Sequence, residues 1–141
     1  MRPRMTKICF KKLSEAESCL LEEDFNLEEV RLALSNCEGN KAQSPDEFNL
    51  NFVKAHCGDI QEDFMNFMKV FHNDGSVVNE LNRTLIALIP KVGRMETMKD
   101  FRPVSLISSM YKILAKVLAN RLRKVMNAII GDSQMAFVKN R

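Results

Sequence analysis

The chain has 141 residues, 45% of them hydrophobic and 28% charged, which is enough apolar matter for one core, or for a lobe of a larger one, and too much for an intrinsically disordered segment. Its net charge of +3 conceals a division: residues 83–141 hold 12 Lys/Arg against three Asp/Glu, a net +9, whereas residues 1–82 hold nine against 15, a net −6. Like charges crowded on one segment repel one another until a polyanion or an acidic neighbour neutralises them, so nucleic acid is the first candidate partner of the basic half.

The opening residues, MRPRMTKICFKK, carry charge with no apolar run behind them, which argues against a signal peptide and a membrane span and for a soluble, intracellular chain. Residues 1–12 therefore read as a tail, residues 13–82 as an acidic helical region and residues 83–141 as a basic region. Cys9, Cys19, Cys37 and Cys57 form no CxxC or CxxH pair, so they read as reduced, mostly buried thiols rather than as the start of a zinc site.

Ser14 with Glu17 three residues on is a capping box that opens a helix running to about Glu23. Asn26 with Glu29 opens a second, with Leu27, Val30, Leu34 and Cys37 on one face and Gly39 as its stop. Residues 39–49 are turn-forming, with Pro45 suited to a first helical turn and Asp46 and Glu47 to the positive end of the helix dipole. The helix that follows breaks near Gly58. Beyond the break Ile60, Phe64, Phe67, Met68 and Phe71 recur at the spacing of a buried stripe, and core packing explains them better than an aromatic cofactor box.

After Asn73-Asp74-Gly75 the period changes. TLIALIPKV (84–92) and FRPVSLI (101–107) read as strands, with Pro90 at a strand end or on an edge because it has no N–H to give to a ladder. The polar stretch between them suits a flexible hairpin tip bracketed by Lys91, Arg94, Lys99 and Arg102. Two strands alone are not stable, so they must lie against the helices or against something else. A long helix from about Ser109 to Ile130 closes the pattern. Its apolar face runs from Met110 and Ile113 to Met126 and Ile129, opposite Lys112, Lys116, Asn120, Arg123 and Asn127. Arg121 falls inside the apolar arc, where a cation either meets a partner or snorkels out. A structural role, pairing that locks this helix to a neighbour, is weighed there against direct substrate contact. The predicted class is α+β, mainly α: several helices and a small antiparallel hairpin.

IALIPKV, DFRPVSLIS, YKILAKVLANRL and SQMAFVKNR, in this order and spacing, resemble the fingers region of reverse transcriptases from LINE-type (non-LTR) retrotransposons, especially plant ones. LSEAE, FNLEEVRLALSNCEGNKA and FNLNFVK resemble the stretch that precedes those motifs, so the likeness covers about residues 10–141. It implies a partial fingers lobe in which Lys91 and Arg102 face the triphosphate of an incoming nucleotide, chemistry that suits fixed cations and an arginine fork. It also places Gln134, Phe137 and Arg141 on a segment leading toward the palm. Lys112, Lys116, Arg123 and Arg141 are the candidate contacts to a nucleic-acid backbone, with an RNA or DNA template and a separate palm segment as the implied partners and no membrane.

Two departures shape the expectation. Gln43-Ser44-Pro45-Asp46-Glu47 stands where the family usually has Pro-Gly-Pro-Asp-Gly, and losing two glycines costs about 1 kcal/mol or more wherever a positive φ was needed. This is what a decaying copy would look like. The family's metal-binding aspartates come from palm strands past the position of Arg141, and the basic half offers only Glu96, Asp100 and Asp132. The expectation is a fragment of an RNA-directed DNA polymerase with no catalytic residues, no cofactor and no metal of its own, Mg2+ being expected only in a complete polymerase. Such a fragment would bind at most nucleic acid or nucleotide. The alternative is a small helical interaction module whose basic helix docks an acidic protein.

Overall fold

The first three helices open on short-range side-chain caps. The computed structural model describes residues 11–39, 49–77, 79 and 81–130, and their architecture is α+β, mainly helical, with one two-stranded antiparallel sheet. α1 (Glu15–Glu22) opens on Ser14, whose hydroxyl accepts from the Glu17 N–H while the Glu17 carboxylate accepts from the Ser14 N–H. α2 (Leu27–Ser35) opens in the same way on Asn26 and Glu29. Each reciprocal pair satisfies two donors that the first helical turn leaves without partners.

α2 stops at Ser35, ahead of the expected Gly39. Ser35 Oγ donates to the Leu32 carbonyl, the Cys37 N–H closes a tighter turn on Leu34, and the Lys54 ammonium donates to the Ser35 and Cys37 carbonyls at 3.2 and 2.6 Å. Side chains thus take the carbonyls a glycine terminus would otherwise manage. α3 (Leu50–Ala55) is capped by Asn49, whose side chain accepts from the Phe52 N–H, so its first turn lies past Pro45. Residues 43–47 themselves fall outside the described residues. The break before α4 (Cys57–Asp74) falls at His56, two residues ahead of Gly58, which sits within α4. Gly75 ends α4 at φ +63°, a left-handed position that glycine fills without strain.

The described residues fall into two compact units. In the unit Asp24–Val117, α2, α3, α4 and the first part of α5 (Ser109–Ile129) share one apolar cluster. Val30, Ala33 and Leu34 of α2 and Leu50 and Val53 of α3 meet Phe64, Phe67 and Met68 of α4 and Ile113, Leu114 and Val117 of α5. Ile60 and Phe71 complete the α4 stripe from partly buried positions. Each of the larger side chains contributes roughly 1.5–3 kcal/mol by leaving water. Strand β1 (Thr84–Pro90) pairs antiparallel with β2 (Phe101–Ile107), Thr84 facing Ile107 and Pro90 facing Phe101. At the base of this hairpin the Ser108 hydroxyl donates to the Leu81 carbonyl and accepts from the Tyr111 N–H, which starts α5.

The second unit holds α1 and the part of α5 from Leu118 onward. Arg121 is 3% exposed there, and its guanidinium donates to the carbonyls of Leu21, at 3.3 Å, and Glu23. These carbonyls end α1, whose last turn contains no basic residue of its own. The arginine from α5 therefore does for α1 what a C-terminal lysine does elsewhere. In the same manner the Lys11 ammonium donates to Ile130 O at the end of α5, at 3.4 Å. Leu118 and Leu122, expected on the buried face, are among the exposed apolar residues, while Val125 and Ile130 are buried.

The cysteines differ from expectation: Cys19 is exposed, Cys37 and Cys57 are half-buried free thiols, and Cys9 lies outside the described residues. Among the described residues no helix is long and apolar enough to cross a membrane.

Candidate functional site

The hairpin tip follows from one carboxylate. Asp100 Oδ2 accepts from the Thr97 and Glu96 N–H groups at 2.9 and 3.1 Å and from the Thr97 hydroxyl at 3.2 Å. The Thr97 and then the Glu96 backbone donors hold its carboxyl below its ordinary range. β1 ends at Pro90, short of the expected 92, and the stretch 93–100, expected to be a flexible tip, is a bonded turn with a short 3-10 segment at Met98–Asp100. The Lys91 N–H donates to the Asp100 carbonyl at 2.7 Å, and the Lys91 ammonium to the Lys99 carbonyl at 2.7 Å.

The register decides where the cations point. Ile89 faces Arg102 in the ladder, and the Lys91–Asp100 bond extends the pairing by one rung past Pro90 and Phe101. Side chains alternate along a strand, so Lys91 lies on the same face as Ile89, and Arg102 on that face opposite it. Lys91 and Arg102 are diagonal neighbours, which strand geometry sets about 7–8 Å apart, somewhat less at Cβ. Both are exposed, as are Arg94 and Lys99. A lysine held by one carbonyl keeps two ammonium donors, and a guanidinium in solvent can offer its fork to phosphate oxygens.

The expected cation stripe of α5 is not a simple solvent face. Lys112, Lys116 and Asn120 are half-buried, and the two lysines line an open pocket with Asn36, Cys37, Glu38 and Leu50. Lys54 holds the end of α2 through the Ser35 and Cys37 carbonyls, and Glu38 lines the same pocket as the two α5 lysines. Arg123 is exposed and belongs to the other unit. Arg141, Gln134 and Phe137 lie outside the described residues.

Lys54, Lys11 and Asp100 are the polar residues that sequence reasoning passed over. Only Asp100 had a readable signal: Thr97 three residues ahead of it has the spacing of a capping box. Among the described residues no three His, Cys, Asp or Glu side chains are grouped to hold a metal ion, and the carboxylate at the tip is engaged by backbone donors.

No family model matches the chain. Over 129 residues, 92% of its length, it is 30% identical to the "Transposon TX1 uncharacterized 149 kDa protein" of Xenopus laevis. The matched stretch is 10% of that protein, so the chain spans about a tenth of the length of the curated relative it matches. The similarity points to a transposable-element origin.

Proposed function

We propose that this chain is the fingers portion of a LINE-type reverse transcriptase and that its hairpin is the surface that receives a nucleoside triphosphate. The observation that carries the reading is the register, which sets Lys91 and Arg102 side by side on one exposed face of β1 and β2. Two cations at that separation match the oxygens of a polyphosphate, and the arginine adds a planar fork. The bonded tip supports the same reading, because a preorganised site loses less entropy on binding. The transposon-encoded relative supports the retroelement origin. Arg123, exposed in its own unit, would contact a template backbone.

Equilibrium titration of the chain with a fluorescent deoxynucleoside triphosphate tests this. Replacing Lys91 and Arg102 together with Gln is expected to weaken triphosphate binding at least tenfold, about 1.4 kcal/mol, and to leave the unphosphorylated nucleoside unaffected. Equal binding by parent and variant would remove the assignment. Separately, Gln at Lys112, Lys116 and Arg123 should weaken binding of single-stranded RNA of any sequence and flatten its salt slope by up to roughly 2. An unchanged slope, with binding of an acidic protein instead, would favour the docking-module reading of α5.

A further inference from the structure

The stretch 91–102 contains two acids, Glu96 and Asp100, and they enter the turn differently. Glu96 takes part through its backbone N–H. Asp100 takes part through every polar group it has. Its Oδ2 accepts from the Thr97 and Glu96 N–H groups and from the Thr97 hydroxyl, its own N–H donates to the Thr97 carbonyl at 3.1 Å, and its carbonyl accepts from the Lys91 N–H. Lys99, one residue back, supplies the carbonyl that the Lys91 ammonium meets at 2.7 Å. Lys91 is therefore tied at its backbone and at its side-chain end to a turn closed by one carboxylate. Arg102 takes its place from the ladder instead, opposite Ile89. By charge alone Asp100 would hinder an anion here. It stands among Lys91, Arg94, Lys99 and Arg102, and a carboxylate repels the triphosphate that those cations attract. The Thr97 and then the Glu96 donors hold its carboxyl below the ordinary range, so the charge is present at neutral pH.

We infer that Asp100 is a positioning residue of the triphosphate surface: by closing the turn it sets the Lys99 carbonyl where it holds the Lys91 ammonium, and it strengthens anion binding in spite of its own charge. This role presupposes the triphosphate surface proposed for Lys91 and Arg102, and adds to it a residue that touches no phosphate. Substitution separates the two effects of the carboxylate, because a single oxygen receives all three donors. An asparagine amide oxygen can take the place of that oxygen while the charge is removed. Alanine removes the acceptor and the charge together. Repulsion alone predicts that both substitutions tighten binding to the same extent, whereas a positioning role predicts that they part in opposite directions.

Titration of the whole chain with a fluorescent deoxynucleoside triphosphate at constant ionic strength reads the sign. Asp100→Ala is expected to weaken binding about threefold to tenfold, the size of one lost hydrogen bond. Asp100→Asn should bind at least as tightly as the parent, and Glu96→Gln, which removes the other charge and leaves the turn intact, should tighten binding slightly. In a chain that already carries Lys91→Gln, Asp100→Ala should change binding by less than about twofold, because the residue acts through Lys91. Binding by Asp100→Ala as tight as the parent's, or equal binding by Asp100→Ala and Asp100→Asn, overturns the positioning role and leaves the triphosphate surface in place. So does an equal loss with and without Lys91, which is what a turn that unravels the hairpin and carries Arg102 with it would give. Equal binding by the parent and by the chain with both Lys91 and Arg102 replaced by Gln removes the surface itself, and the role of Asp100 falls with it.

Discussion

The helical cluster of α2 to α5 and the hairpin contain apolar runs of similar density, yet they meet water in opposite ways. In the cluster the apolar residues recur every three or four positions, and each stripe finds another: Met68, Ile113 and Val117 are fully enclosed. In the hairpin LIALI is continuous rather than alternating, the pattern of a strand covered on both faces. Leu85, Ile86, Leu88 and Ile89 are nevertheless exposed. The cluster is a finished scaffold. The hairpin leaves its apolar side chains in contact with water, and Lys91 and Arg102 are exposed with them.

The sharpest way to test that contrast is to cut matching volume from both places. Met68→Ala or Ile113→Ala should destabilise the chain by about 2–5 kcal/mol, as lost burial adds to an unfilled cavity. Ile86→Ala should stay within about 0.5 kcal/mol in dilute solution, where nothing covers it. Denaturant melts followed by circular dichroism give both numbers, and a large loss at Ile86 would mean that the hairpin is covered after all.

Next in size is Arg121. Arg121→Ala removes both the packing stem and the donors to Leu21 and Glu23, and is expected to cost about 1–3 kcal/mol. Arg121→Met keeps the stem and should cost less, although the two carbonyls stay unsatisfied. Melts that place both variants level with the parent would deny the arginine its role at the end of α1. Smaller again is Asn26→Ala, about 1 kcal/mol from loss of the cap on α2.

The smallest effect is on pH. The carboxyl of Asp100 is held below its ordinary range by the Thr97 and Glu96 N–H groups. A lowered folded-state value favours the folded tip above the unfolded-state value, and that preference disappears as pH falls through the lowered one. Amide signals of Glu96 and Thr97 should therefore stay constant through the neutral range and move only below the usual carboxylate titration. Asp100→Asn should abolish that movement.

Much of this was legible in the chain itself. Caps at Ser14 and Asn26, the α4 stripe, the extent of β2 and the length of α5 all follow from local patterns, because each is decided within one or two turns. What escaped reading depends on distant partners. α2 ends early because Lys54, 19 residues further on, takes the Ser35 carbonyl. Arg121 could be placed in an apolar arc, but the carbonyls it meets lie 98 and 100 residues away. Lys112 and Lys116 looked like a solvent stripe on a helical wheel and are half-buried because the chain after α2 runs beside them. For the hairpin site, the resemblance singled out Lys91 and Arg102, the spacing around a polar tip suggested antiparallel strands with both cations on one side, and the ladder has that register.

Amide chemical-shift mapping of the whole chain during addition of a deoxynucleoside triphosphate tests the division between scaffold and hairpin most directly. The expected result is shifts confined to the hairpin between Ile89 and Arg102, absent in the chain with Lys91 and Arg102 both replaced by Gln. Shifts centred on Lys112 and Lys116, or none at all, would contradict a triphosphate surface on the hairpin.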